Sequence, residues 1–202
     1  MNIRSRIIEE STRLFVENGI KPITMDYIAR KLGISKRTLY ENFSDKEQLL
    51  DESVDAFIRW RREEQDMLVE SNKNCIEIYL AFYTLLKKGF DSVNRNFFRE
   101  MKRYYPAIYR KIEEVGNDRV VIQIEMLDKG KELGLIREDV NTNIASQLFR
   151  LQFDMLCHSD FFTLKEYTMN EVMSTVILNF VRGIATAEGL RIVDEYIEKT
   201  KI

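Results

Sequence analysis

Residues that interrupt helices are scarce in this chain. Only 2 Pro and 8 Gly occur among its 202 residues. Sheet-rich folds need frequent turn residues, whereas long helices joined by few loops do not. Apolar residues make up 45% of the sequence, which is enough to bury a substantial core. The sequence therefore predicts an all-α protein.

Apolar residues that recur every 3.6 residues predict helices along the whole chain. Ser44 and Glu47 form an S-x-x-E capping box ahead of a long helix that runs through Trp60 and beyond. Asp139 or Asn141 caps a later helix. The other predicted helices span residues 2–17, 25–32, 36–42, 74–93, 95–104, 106–133, 142–158, 168–188 and 191–199.

Residues 24–43 have the layout of a helix-turn-helix motif. Gly33 lies between the two short helices, where the turn favours a left-handed backbone that glycine adopts without steric cost. The outward face of the second helix carries hydrogen-bond donors rather than the alternating Glu and Lys of an ordinary solvated face. The apolar residues that would lock the two helices together are Ile28, Leu32, Ile34 and Leu39.

The same segment supplies the side chains that double-stranded DNA requires. Phosphates are bound by cations, hydroxyls and helix N-terminal amides, whereas bases are read by side chains near the start of the inserted helix. The formal net charge is −2, but residues 1–48 hold 9 Lys and Arg against 7 Asp and Glu, so a small positive excess lies at this end. The candidate DNA-binding residues are Thr24, Ser35, Lys36, Arg37, Thr38, Tyr40, Asn42 and Lys46.

From Ile7 to Leu50 the sequence resembles the DNA-binding domain of TetR/AcrR-family regulators. The matching positions are Ala29, Gly33, Ser35, Thr38, Leu39, Tyr40, Phe43, Lys46, Glu47 and Leu49. The residues for which the resemblance implies phosphate contacts are Thr24, Ser35, Tyr40 and Lys46, and Lys36 and Thr38 would lie nearer the bases. Arg37, Glu41 and Asn42 depart from the residues common in the family, which bears on the operator that is read.

The resemblance also implies an architecture and a mode of action. A three-helix DNA-binding domain over 1–46 would precede a larger helical effector-binding and dimerisation domain over 47–202. The protein would be a homodimeric repressor, released from a palindromic operator by an unidentified small-molecule effector. Three alternatives remain open at this point: an activator with the same DNA-binding domain, a helical protein-interaction module, and an all-α enzyme.

The C-terminal part offers candidates for dimerisation and effector binding. Apolar stripes on two helices are compatible with pairing against a second subunit, although packing in the chain's own core explains them equally well. The stripes are Ile144, Leu148, Leu151 and Met155, and Met173, Val176, Phe180 and Ile184. An effector pocket is expected among the helices of 74–158, whose aromatic residues are Tyr79, Phe82, Tyr83, Phe90, Phe97, Phe98, Tyr104, Tyr105, Phe149 and Phe153.

Signatures of enzymes, metal sites and membrane proteins are missing from the sequence. It has no His partner for a Ser or Cys nucleophile, no Gly-rich phosphate loop and no H-E-x-x-H, so we expect neither catalysis nor a cofactor. Cys157 and His158 are adjacent, but a zinc site needs three or four ligands. Cys75 is distant from them, which indicates free thiols. The longest nearly apolar stretch, 79–86, is too short to span a bilayer, and no signal peptide is evident. We therefore expect a cytoplasmic protein without a membrane partner.

Overall fold

The computed structural model describes residues 2–71, 74–89, 93–94, 96–158 and 167–200, without the side chains of 86–89, 157–158 and 169. This part of the chain forms helices and no β-strand, which confirms the all-α prediction. The helices are α1 (Ile3–Asn18), α2 (Met25–Leu32), α3 (Lys36–Asn42), α4 (Lys46–Ser71), α5 (Cys75–Gly89), α6 (Asn96–Tyr104), α7 (Pro106–Glu132), α8 (Thr142–His158), α9 (Met169–Ile184) and α10 (Ala187–Thr200).

The start of α4 corrects one prediction. Ser44 and Glu47 do not form the expected capping box. Instead the Asp45 carboxylate accepts from the Gln48 N–H at 2.8 Å, and the Gln48 side-chain oxygen accepts from the Ser44 N–H at 2.7 Å. Asp is as good an N-cap as Ser, and Gln serves as well as Glu three residues later. Two overlapping patterns were present, and the helix uses the one shifted by one residue.

A first compact unit consists of Met1–Glu63 and Ser92–Val115. Its core buries large side chains from α1, α3, α4 and α6, including Phe15, Phe43, Leu50, Phe97 and Met101. The beginning of α7 joins this unit through Lys111, whose ammonium lies 2.6 Å from the Asp51 carboxylate and 2.9 Å from that of Asp55. The three N-terminal helices are thus packed together with segments that lie about 50 residues or more further along the chain.

A second compact unit consists of Glu64–Asp91 and Gly116–Ile202. Helices α5, α9 and α10 pack around Leu80, Ile177, Val181 and Val193, all fully buried. A predicted domain boundary between residues 46 and 47 stays a prediction, because compactness alone does not define which segments fold independently. No helix in the described parts of the chain is both long and apolar enough to cross a membrane.

The break between α9 and α10 differs from the prediction of helices over 168–188 and 191–199. The chain leaves the helix at Ala185 and Thr186, where the Thr186 N–H donates to the Leu135 carbonyl at 2.9 Å. The Thr186 hydroxyl then caps α10 by accepting from the Gly189 N–H at 3.2 Å. Neither Gly nor Pro marks this break, so the sequence pattern alone did not reveal it.

The two apolar stripes of the C-terminal helices have different environments. Ile144, Leu148, Leu151 and Met155 of α8 are between 43% and 58% exposed. In α9, Met173 and Ile184 are buried in the core of the second unit, and Val176 and Phe180 pack against that core. Packing within the chain's own core therefore accounts for the α9 stripe and fails for the α8 stripe. The α8 helix is capped by Asn141, one of the two predicted caps, whose side chain accepts from the Ile144 N–H at 3.0 Å.

Candidate nucleic-acid interface

Local capping and packing hold α2 and α3 in a helix-turn-helix arrangement. The Thr24 hydroxyl accepts from the Tyr27 N–H at 3.1 Å and begins α2, and the Ser35 hydroxyl accepts from the Thr38 N–H at 3.0 Å and begins α3. Gly33 has φ +66°, a left-handed conformation that would strain a residue with a side chain. The predicted role of Gly33 is confirmed. The apolar residues Ile28, Leu32 and Leu39 are buried between these helices and the rest of the unit.

The outward face of α3 presents an aromatic side chain between two cations. Tyr40 is 51% exposed, and the side chains of Lys36 and Arg37 are exposed to a still greater extent. Each cation has an acidic neighbour: the Lys36 ammonium pairs with Asp26, and the Arg37 guanidinium lies 2.8 Å from the Glu41 carboxylate. Ion pairs at such exposed positions contribute little free energy, so both cations can exchange these carboxylates for phosphates at small cost.

The polar residues of the predicted site are partly engaged within the protein. The Ser35 and Thr38 hydroxyls lie 2.8 Å apart, and the Asn42 amide donates to the Thr38 carbonyl at 2.8 Å. Ser35 and Thr24 therefore serve first as helix caps. Thr38 and Asn42 are half-buried, whereas Lys36, Arg37 and Tyr40 project furthest into solvent.

The prediction that Lys46 projects outward is not what the structure shows. Lys46 is half-buried, and its ammonium donates to the Ile20 carbonyl at 2.5 Å. Partial burial lowers the pKa of the Lys46 ammonium, and the nearby Glu100 carboxylate opposes that shift. The physical reason is that the first turn of α4 lies against the loop between α1 and α2, so the lysine stem is covered by the protein.

Two residues that the sequence analysis missed position the motif. One oxygen of the Glu100 carboxylate, in α6, accepts from the N–H groups of both Ile20 and Lys21 at 2.7 Å, and so anchors the loop that leads into Thr24. Arg4, in α1, donates to the Asn42 carbonyl at the end of α3, pairs with Glu52 and lies over the Phe43 ring at 4.3 Å. No short-range pattern indicates either contact.

The second unit contains a cavity lined by α4, α5 and α7. Of the aromatic residues expected to form an effector pocket, Tyr79 and Phe82 line it. Phe97, Phe98 and Tyr105 belong to the core of the first unit, and Tyr104 is exposed. Phe90 and the side chains of Cys157 and His158 lie outside the described residues. Among the described residues, no group of three or more metal-ligating side chains is assembled.

The fold and this arrangement define an all-α helix-turn-helix DNA-binding protein. Residues 7–53 match the family described as bacterial regulatory proteins, tetR family. The chain belongs to the TetR family of helix-turn-helix transcriptional regulators, which are DNA-binding proteins and not enzymes.

Relatives and solved structures agree with this assignment. The uncharacterized HTH-type transcriptional regulator YvaF of Bacillus subtilis is 25% identical over 184 residues, covering 91% of this chain and 96% of YvaF. The HTH-type transcriptional repressor KstR2 of Mycobacterium tuberculosis is 22% identical over 151 residues, covering 73% of this chain and 76% of KstR2. A putative transcriptional regulator from Saccharomonospora viridis, solved in complex with choline, has the same fold, with a TM-score of 0.76 at 18% identity over 91% of this chain and 97% of that one.

Proposed function

We propose that the protein is a cytoplasmic transcriptional repressor that binds a palindromic operator as a homodimer and is released by a small-molecule effector. The observation that carries the DNA-binding part is the exposed, donor-rich face of α3 around Tyr40. Support for repression comes from the similarity to KstR2, a protein named as a repressor. An activator with the same DNA-binding domain would show the opposite response in a reporter strain that lacks the gene.

The proposed contacts follow from exposure and chemistry. Lys36 and Thr38, at the start of α3, would reach base edges, and Arg37 and Asn42 would extend that surface. The residues proposed to contact phosphates are Thr24, Ser35, Tyr40 and Lys46. Lys46 would do so at long range or after it leaves the Ile20 carbonyl, because its ammonium is already bonded there.

The exposed stripe of α8 supports a homodimer. Ile144, Leu148, Leu151 and Met155 lie on one helical face, spaced by four, three and four residues. Single exposed apolar residues are ordinary, but a continuous stripe of four marks an interaction surface. A second copy of the same helix would cover the stripe, and a two-fold axis would present two recognition helices to successive major grooves about 34–36 Å apart.

The cavity of the second unit supports an effector. KstR2 is described as a ketosteroid regulator and the S. viridis protein was solved with choline, so proteins of this fold hold chemically different ligands. An effector would release DNA only to the extent that it binds the DNA-free conformation more tightly than the DNA-bound one.

Selection of the purified protein against a random duplex pool, followed by anisotropy titration of the enriched duplex, tests the proposal. We expect a palindrome bound with nanomolar affinity and a large loss of affinity in Tyr40→Ala. Tyr104→Ala is the matched control, because Tyr104 is 52% exposed and lies outside the helix-turn-helix motif. Weak binding without sequence preference would favour a helical interaction module instead.

A further inference from the structure

The cavity of the second unit has a mainly apolar wall and a defined depth. Its apolar lining residues are Leu68, Val69, Ile78, Phe82, Ile122 and Met126. Val69 and Ile122 are about half-exposed and form the mouth, whereas Tyr79 is only 3% exposed and forms the deep end. The cavity volume is about 90 Å³, smaller than a typical ligand site. A ligand would therefore place a small group inside and lay the rest of its body across the apolar mouth.

The deep end holds a hydrogen-bonding group with nothing to bind. The Tyr79 hydroxyl is buried and has no hydrogen-bond partner among the described residues. Its ring is fixed by Phe149 and Phe180, whose centroids lie 5.2 and 5.3 Å away, so the phenol cannot turn freely to find a partner. Buried polar groups in native proteins are nearly always paired, and an orphaned one calls for a specific explanation. Burial also raises the pKa of the Tyr79 phenol, which keeps the hydroxyl protonated and able to donate.

The remaining polar lining residues define the charge that the cavity accepts. Arg119 is the one cation among the lining residues, and no Asp or Glu lines the cavity. The side-chain oxygen of Gln65 is buried there, also without a partner among the described residues, and can accept a hydrogen bond. A cationic ligand would meet no carboxylate and would lie near Arg119, whereas an oxygen acceptor would meet a phenol donor and a positive field.

We propose that this cavity binds a small, mainly apolar molecule through a carbonyl or carboxylate oxygen that accepts a hydrogen bond from the Tyr79 hydroxyl. The proposal rests on the effector-responsive function proposed above and names the chemical class of its effector. The oxygen enters first and the apolar body covers Val69 and Ile122. Carboxylates gain in addition from Arg119, and ketones, aldehydes or esters do not.

Tyr83 provides a matched control on the same helix. It lies one turn beyond Tyr79, is equally buried, and its hydroxyl is already paired with the Ser174 hydroxyl at 2.6 Å. Tyr83→Phe should therefore lower the melting temperature without changing ligand affinity. Tyr79→Phe should leave the melting temperature unchanged or raise it, because the lost hydroxyl had no partner, and should weaken ligand binding.

Calorimetric titration of the full-length protein with octanoate, 2-octanone and octylamine, without DNA, tests the assignment. We expect octanoate and 2-octanone to bind and octylamine not to bind. Tyr79→Phe should weaken 2-octanone about 2- to 12-fold and octanoate about 12- to 150-fold, the ranges for neutral and charge-assisted hydrogen bonds. Arg119→Gln should weaken octanoate and leave 2-octanone unchanged. Failure of both oxygen-bearing probes to bind, preference for octylamine, or unchanged affinity in Tyr79→Phe would overturn the proposal.

Anisotropy with the selected operator separates this proposal from the function on which it rests. Probes that bind in a Tyr79-dependent way without altering operator affinity would support the site and refute effector release through it. Operator release by another compound that acts equally on wild type and Tyr79→Phe would support the regulatory function and overturn the assigned site.

Discussion

The Glu100 carboxylate should contribute measurably to the stability of the first unit. It accepts two backbone N–H groups, from Ile20 and Lys21, each at 2.7 Å. A hydrogen bond to a charged acceptor contributes about 1.5–3 kcal/mol, and the bond from Lys21 counts for less because it is exposed. Glu100→Ala should therefore lower the free energy of unfolding by about 2–4 kcal/mol.

Glu100→Gln separates the hydrogen bonds from the charge. The Gln oxygen can still accept both N–H groups, but each bond is now neutral and contributes about 0.5–1.5 kcal/mol. We expect a loss of about 1–2 kcal/mol, roughly half that of Glu100→Ala. Urea unfolding of the full-length protein, followed by circular dichroism, measures both values.

Glu114→Ala is the control for this series, since Glu114 is an exposed carboxylate in the part of α7 that belongs to the same unit. It should change the free energy of unfolding by less than about 0.5 kcal/mol. The reasoning would be refuted if Glu100→Ala behaved like this control, or if the Gln variant lost as much as the Ala variant.

Three further predictions address assembly, DNA binding and pH. Leu148→Glu should convert the dimer to monomers in analytical ultracentrifugation without unfolding it, whereas Leu133→Glu, at the same 53% exposure outside α8, should not; a dimer in both would refute the α8 interface. Lys46→Ala should reduce the salt slope of operator binding by about one unit on every duplex, and Lys36→Ala should change base preference by about 1–3 kcal/mol. Identical behaviour of the two lysine variants would contradict this division of roles. Hydrogen bonds, first from the Gln48 N–H and then from Ser44, hold the pKa of Asp45 below its ordinary value, so its stabilisation is present above about pH 4 and is lost as the pH falls through the folded pKa. Asp45→Asn keeps an oxygen acceptor and should unfold with a weaker acid dependence in urea titrations at pH 3 and pH 6.

The helix-turn-helix motif could be predicted because its determinants are local. Thr24 and Ser35 cap helices through N–H groups three residues away, and Gly33 meets a backbone requirement of its own turn. Each of these interactions joins residues that any folded form of the segment keeps close, so a short stretch of sequence is sufficient to specify them. The TetR-family resemblance extended the same local information to the exposed positions of α3.

Contacts between distant residues were decided by the tertiary structure alone. Glu100 is 80 residues from Ile20, and its anchor on the loop before α2 has no sequence signature. The burial of Lys46 has the same origin, since its ammonium reaches the carbonyl of a residue 26 positions earlier. A sequence pattern reports that a lysine is polar, but not which surface will cover it.

The two apolar stripes and the two tyrosines of α5 show the same division. Periodicity identified the stripes of α8 and α9 equally, yet packing buried one in the core and left Leu148 and its neighbours exposed. Likewise Tyr79 and Tyr83 differ in nothing that a pattern records, and only the position of Ser174 gives one hydroxyl a partner and leaves the other without one. The sequence by itself determined where helices begin and which faces are apolar, because these depend on neighbours within a turn. The three-dimensional packing decided which side chains are desolvated, paired or left exposed, because burial depends on residues that only folding brings together.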